Sequence, residues 1–262
     1  MKALYTAGTG MKVQQLQVDV IANNLANANT SGFKRSQIDF QDLLYVTIGG
    51  AGLDTASGKP SPTGLQIGSG AKAVSTTKVF SQGVVEETRR DLDVAIQGRG
   101  FFQIRLPDGS TGYTRDGSFR MDAAGNLVNV DGYPLEPAIA IPGDATSVRI
   151  GKDGTVSAIV AGSPQDPVQL GRITLARFPN PAGLTSEGGN IYKASPSSGA
   201  ASVGNPGEEG LGELGQGFIE RSNVDTVSEL VNLIVAQRTY EVNSRAIRTS
   251  DDMLSLVNQL TR

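Results

Sequence analysis

Apolar positions recur at helical spacing toward both ends of the chain and alternate over short runs in the middle. From Ala3 to Ala28 a heptad row of Leu4, Met11, Val18 and Leu25 is accompanied by Ala7, Gln14, Ile21 and Ala28. That seam, with one polar lapse, predicts a helix of roughly 26 residues, ~39 Å long. Asn29, Thr30, Ser31 and Gly32 end it with turn-forming and φ-positive residue types. Val13, Leu16 and Val20 lie off the seam, and one partner surface does not account for them.

The other end repeats the plan. Thr226-Val227-Ser228-Glu229 has the spacing of a capping box, in which hydroxyl and carboxylate satisfy free N–H groups at a helix start. Beyond it Leu233, Tyr240, Ile247 and Leu254 sit seven apart, with Ala236, Asn243, Ser250 and Val257 completing the seam. A second stripe contains Val242, Ala246, Met253, Leu256 and Leu260. A helix over about 226–260 would span on the order of 50 Å. Two stripes on one helix call for more than one helical neighbour.

Between Thr47 and Gly70 the chain is rich in Gly, Ala, Ser, Thr and Pro, and reads as an extended arm. From Val79 to about Phe178 short strands are punctuated by Asp108-Gly109, Asp116-Gly117, Gly125-Asn126, Asp131-Gly132 and Asp153-Gly154, all turn signals. Phe101, Phe102, Tyr113, Phe119 and Tyr133 are expected in the core of this β region. Residues 195–216 read as a loop back to the last helix. The expected fold is α+β: long N- and C-terminal helices in a coiled-coil-like core layer, a central, mostly antiparallel β domain and an extended arm. The expected boundaries are 1–45 for the first helix and its link, 46–78 for the arm, 79–217 for the β domain and 218–262 for the last helix.

Composition narrows the chemistry. The 262 residues include no His and no Cys, which removes the usual general base, the commonest metal ligand, thiol nucleophiles and disulfides. A net charge of −3 argues against a dedicated nucleic-acid surface. No run approaches the ~18 apolar residues of a membrane span. Thr6, Gly8, Thr9, Gly10 and Lys12 interrupt any signal-peptide core. Composition thus favours a soluble chain with no catalytic, cofactor or metal site.

Local motifs add little chemistry. Gly98-Arg99-Gly100 opens like a dinucleotide loop, but Gln103 stands at the third glycine position and strand-like residues follow, so a turn or bulge is expected. Ser75-Thr76-Thr77-Lys78 has Ser–Lys nucleophile spacing without its supporting motifs. Asp91 and Asp93 would share a strand face, and read as solvated carboxylates beside Arg89 and Arg90. The two helical seams fit either an intramolecular pair or packing between copies; the second stripes favour the latter. Heterologous contacts that do not close produce helical filaments.

Three motifs, in order along the chain, resemble those of the family of bacterial flagellar rod and hook proteins. Ala22-Asn23-Asn24-Leu25-Ala26-Asn27-Ala28-Asn29-Thr30-Ser31-Gly32-Phe33-Lys34 is similar to its N-terminal signature, carried by Asn23, Asn24, Leu25, Asn27, Thr30, Gly32 and Phe33. Asp93 through Phe102, continued by Tyr113 through Phe119, resembles its central motif. Ser222 through Asp225 and Ala236 through Ser244 resemble its C-terminal signature. Within the family, the length together with Asp42-Leu43-Leu44-Tyr45 and Gly64 through Gly68 is similar to the distal-rod branch. Thr239, where Ala is more usual, departs from the pattern without changing a role.

The resemblance implies a structural subunit with no enzymatic step, whose terminal helices line an inner tube while the β domain forms an outer layer and the arm touches neighbours. It implies self-assembly into a helical distal rod that transmits torque to the hook. Implied partners are further copies, proximal rod proteins, the hook protein, the surrounding peptidoglycan and outer-membrane ring proteins, and the type III export apparatus with its rod cap. The implied location is the basal body between periplasm and outer membrane, reached without a cleaved signal. The residues expected at subunit interfaces are Leu4, Met11, Val18, Ile21 and Leu25 with Leu233, Tyr240, Ile247, Leu254 and Val257. Another axial member, proximal rod or hook, is the nearest alternative. A different class is a glycan-binding β module that uses Tyr113, Tyr133, Asp91 and Asp93.

Overall fold

The computed structural model describes residues 2–49, 64–160 and 167–260. Two helices flank a largely antiparallel β region, so the chain is α+β as its periodicities predict. Helix α1 is Lys2–Ala26 and helix α2 is Thr226–Leu260. Between them the labelled strands are β1 (Ser36–Asp42), β2 (Tyr45–Gly49), β3 (Leu65–Gly68), β4 (Ala71–Lys78), β5 (Val85–Glu87), β6 (Val94–Gln97), β7 (Phe101–Arg105) and β8 (Thr111–Thr114). Among the described residues no helix is long and apolar enough to cross a membrane.

The contacts divide the chain into two units. The helical unit comprises 1–25, 36–77 and 225–262, and the β unit comprises 26–35 and 78–224. The link 26–35, which the sequence groups with the first helix, therefore sits in the β unit. Of the stretch expected as an arm, residues 50–63 lie outside the described residues. Its described parts are strands: β2 pairs with β3 in the register Val46↔Ile67, and β4 pairs with β1, which precedes the arm.

In the helical unit the two helices approach each other at Gly10 of α1 and Asn243 of α2. A Cβ on Gly10 would come within 2.9 Å of Asn243 Nδ2, so the helices approach closely here and a larger residue would displace the Asn243 side chain. The face of α1 that is fully buried runs through Ala7, Val13, Ile21 and Asn24, while Leu4, Met11, Val18 and Leu25 are half-buried beside it. Leu16 and Val20 line a hollow with Ser36 and Ile38 of β1 and Thr76 of β4. The second stripe of α1 thus borders in part on the chain's own ribbon, where the sequence favoured packing between copies.

Helix α2 has its expected span, and only its cap and the end of α1 differ from expectation. The N-cap of α2 is Asp225, one residue before the expected capping box. Its carboxylate accepts from Val227 N–H at 3.1 Å and from Ser228 Oγ at 2.7 Å, which offsets orphan donors at the helix start. These bonds hold the Asp225 carboxyl below its ordinary range. Helix α1 ends two residues before Ala28, because Thr30 Oγ1 donates to Asn27 Oδ1 at 3.1 Å and Thr30 N–H to Asn27 O at 3.2 Å, closing a turn.

The largest sheet of the β unit has seven strands, with β7 central, and a separate three-stranded antiparallel sheet spans residues 145–172. β7 pairs with β8 on one side and with Leu175–Arg177 on the other, and Leu135–Glu136 also joins it. Side chains alternate across the sheet. Phe102 therefore enters a cluster with Val94, Ile96, Phe119, Leu127 and Leu175, while Phe101 joins Tyr113, Phe178 and Tyr192 on the other face. Phe102 meets Phe119 edge-on at 5.0 Å, and Tyr113 meets Phe178 at 4.7 Å. Four of the five predicted core aromatics are buried; Tyr133 is half-buried against a third cluster with Ile104 and Ile191. The predicted turns at Gly109, Gly125, Gly132 and Gly154 all have positive φ. Gly117 does not; its carbonyl instead accepts from Val94 N–H at 2.9 Å.

Candidate functional site

Two features stand out from the residues upward: a buried charge cluster in the β unit and an open apolar stripe on α2. The cluster draws together the segments that the signatures single out. Lys34 Nζ lies 2.5 Å from Glu220 Oε1, both side chains fully buried, and Arg115 Nη2 lies 2.9 Å from Glu220 Oε2. Gly83 N–H donates to Glu220 Oε1 at 2.8 Å. Lys34 also donates to Ser81 O at 2.7 Å. Arg115 spends Nη1 on Gly98 O and Gly100 O at 3.0 and 2.7 Å. One carboxylate thus serves two buried cations, and backbone carbonyls solvate the surplus positive charge. Burial pushes the Lys34 ammonium below its ordinary value, and the Glu220 carboxylate pulls it partly back. The same pair of causes, burial first, acts on Arg115.

The bonds around this cluster explain the signature residues. Gly32 has φ +69°, and a Cβ there would lie 2.5 Å from Asp116 N, so only glycine fits against the Arg115–Asp116 backbone. Gly32 N–H donates to Glu220 O at 2.8 Å. Phe33 is buried under Lys78 Nζ, 4.5 Å from its ring centroid. Asn223 accepts from Arg35 N–H at 2.8 Å and donates to Val79 O at 2.8 Å. In the helical unit, buried Asn24 acts as a substitute peptide: its Nδ2 donates to Ser36 O at 2.9 Å and its Oδ1 accepts from Ser36 N–H at 2.8 Å. Leu25 is half-buried and Asn23 exposed.

The expected interface residues fall into three groups. Ile21 is buried; Leu4, Met11, Val18, Leu25, Leu233, Ile247 and Leu254 are half-buried. Tyr240 and Val257 are exposed at 42% and 53%. The second stripe of α2 is open: Val242, Met253 and Leu256 are exposed, and the structure extends it toward the helix start through Val227, Val231, Ile234 and Val235. Those four were missed because they precede Val242, the first member of the stripe that the sequence singled out; a 3.6-residue count backwards from Val242 would have found them.

Two sequence readings are corrected, and the turn expected at Gly98–Gly100 is found. Asp93 is buried and not solvated: its Oδ2 accepts from Thr88 Oγ1 and from Arg90 Nε at 2.8 Å, whereas Asp91 is exposed. Tyr113, offered as an exposed sugar platform, is buried at 7%. A glycan site built on these residues therefore loses two of its four members. Gly98 and Gly100 form the turn between β6 and β7, with φ +121° and +140°, and their carbonyls are taken by Arg115.

Comparisons with known proteins agree with this anatomy. A model of the flagella basal body rod protein matches residues 4–34, one of the flagellar hook protein FlgE/F/G D1 domain matches 95–158, and one of the flagellar basal body rod FlgEFG protein C-terminal region matches 216–260. These are the first helix with its link, the central sheet, and the last helix with its cap. The class so defined is that of flagellar axial proteins. At full length the chain is 49% identical to the flagellar basal-body rod protein FlgG of Caulobacter vibrioides, over 99% of each chain. It is 47% identical to that of Borreliella burgdorferi over 100% of this chain and 99% of the relative, and 42% identical to that of Bacillus subtilis over the whole of both. The chain belongs to the flagellar basal-body rod protein family, and within it is most like the distal rod. It is a structural subunit of the basal body.

Proposed function

We propose that the chain polymerises through its terminal helices into the tubular distal rod, a shaft that carries motor torque to the hook by many repeated contacts and no chemical step. The observation that carries this reading is the open stripe on α2, where Val227, Val235, Val242, Met253 and Leu256 are each more than half exposed. An apolar face of that length is unfavourable in water and calls for a neighbour. In this reading the seam of Leu4, Met11, Val18, Ile21 and Leu25 with Leu233, Tyr240, Ile247, Leu254 and Val257 holds the helices in register, while the stripe packs on adjacent copies. The partners are then further copies, proximal rod proteins at one end, the hook protein at the other, and the surrounding ring proteins. The type III export apparatus and rod cap deliver and place each subunit, between periplasm and outer membrane.

Electron microscopy of the concentrated full-length protein tests this. Straight tubes are expected from the full chain, and dispersed particles from a chain shortened to 26–224. A full chain that stays dispersed under all conditions, also when seeded with isolated basal bodies, sinks the reading. The shortened chain must keep both connectors. A version of 36–220 loses Lys34 and Asn223, and should unfold at lower urea by about 3–5 kcal/mol of stability, the cost of breaking a buried ion pair.

A further inference from the structure

A cavity of about 570 Å³ opens in the β unit, within the size range of ligand and side-chain pockets. Its apolar floor is Phe101 and Phe178, with half-buried Phe80 edge-on to Phe101 at 5.3 Å. Arg99 and Arg177 stand exposed at its edge beside Ser202. Arg115 also lines it but is committed to Glu220. Arg177 gives one N–H to Glu209 O, and neither Arg99 nor Arg177 has a carboxylate partner among the described residues. The groove therefore suits an apolar side chain accompanied by a carboxylate.

The chain presents that combination elsewhere. Leu44 is 88% exposed, the most open large apolar side chain among the described residues, and follows Asp42, exposed at the end of β1. Leu43 N–H is held by Gly70 O at 2.8 Å, so this short connector is fixed in place. Both the knob and the groove are open in the isolated chain. We propose that Asp42–Leu44 of one copy docks in this groove of a neighbouring copy, Leu44 against the phenylalanines and the Asp42 carboxylate paired with Arg99 or Arg177. This rests on the rod-subunit reading and names a lateral contact for it, separate from the helix stripe. Such a head-to-tail contact, made by two different surfaces, propagates along a filament.

The absence of native cysteine makes the test direct. Leu44→Cys and Ser202→Cys are made singly in full-length chains carrying different tags, mixed, allowed to polymerise and oxidised. Disulfide heterodimers should exceed homodimers from either variant alone by about tenfold, the discrimination expected of one specific pairing. Asp42→Arg should lower polymer yield about tenfold, and Arg177→Asp with Arg99→Asp in the same chain should recover it by reversing both signs. Polymer without heterodimers overturns the docking and leaves the rod reading standing. An internal disulfide in the double-cysteine chain overturns it too, since the groove then takes its own segment. Protection of Ser202→Cys from alkylation by soluble peptidoglycan fragments in dispersed protein overturns it in favour of a cell-wall ligand. Should the unmodified chain fail to polymerise, the rod reading fails by itself. The docking is then decided on the soluble mixture at the same concentration, where lack of heterodimers overturns it.

Discussion

Replacing Glu220 with Gln lowers the stability of the β unit by about 3–5 kcal/mol, the loss expected when one member of a buried ion pair is removed and its partner's charge stays behind. Here two charges stay behind. Lys34 and Arg115 have side-chain exposures of 0% and 4%, and among the described residues Glu220 is the one carboxylate paired with either. Domains are commonly stable by only ~5–15 kcal/mol. The melting temperature should therefore fall by about 6–20 °C, at ~2–4 °C per kcal/mol for a unit of this size. Lys34→Met is the control. It leaves the carboxylate with Arg115 and the Gly83 N–H, so no charge is orphaned, and the cost should be nearer ~1–3 kcal/mol. The chain has no Trp, so urea unfolding can be followed by near-ultraviolet circular dichroism of buried Tyr113 and Tyr192. A loss from Lys34→Met equal to that from Glu220→Gln would show that the carboxylate is not the hub.

The consequence reaches beyond stability. Gly32 N–H rests on Glu220 O, and Asn223 N–H on Phe33 O at 3.4 Å. The segment that leaves α1 and the one that enters α2 are therefore tied to the same few atoms of the β unit. A variant that loosens them should lose assembly even though no residue of either helix has changed.

What the amino-acid order made legible follows from the range of the forces involved. The span of α2 is written in local periodicity, Leu233 to Leu254 by sevens, and helix formation depends on neighbours three and four residues away. The hairpins at Asp108-Gly109 and Asp153-Gly154 are equally local, because a glycine supplies the positive φ within the turn itself. The charge cluster has no local signal. Lys34 and Glu220 are 186 residues apart, and each alone looks like an ordinary solvated side chain. Asp93 misled for the same reason, since distant chain packs on it: it bridges to Ser118, and its carbonyl accepts from Gly217 N–H at 2.7 Å. The cap moved from Thr226 to Asp225 because both residue types can cap, and only backbone geometry decides between them. The resemblance marked Gly32, Phe33 and Lys34 without giving their role. That role needed the positions of Glu220 and Asp116.

Val242→Glu should abolish polymerisation and leave the monomer intact. Val242 is 57% exposed in the isolated chain, so the substitution removes little packing there, and an exposed change of this kind usually shifts stability by no more than ~0.5 kcal/mol. The new carboxylate lies four residues after Arg238 and three before Arg245, spacings that favour the helix. In a polymer the same carboxylate would face an apolar neighbour, with only the exposed Arg238 and Arg245 of its own helix to offset the lost water, at a cost of about 3 kcal/mol. Each ~1.4 kcal/mol is tenfold in affinity, so pelletable polymer should fall by at least about a hundredfold. Leu254→Glu separates the two surfaces. Leu254 is half-buried on the seam, so that variant should lose helical signal in far-ultraviolet circular dichroism as well as assembly. Pelleting of Val242→Glu at the level of the unmodified chain would show that the outward stripe is not where copies meet. Loss of helical signal in both variants would mean that the stripe, like the seam, belongs to the single chain.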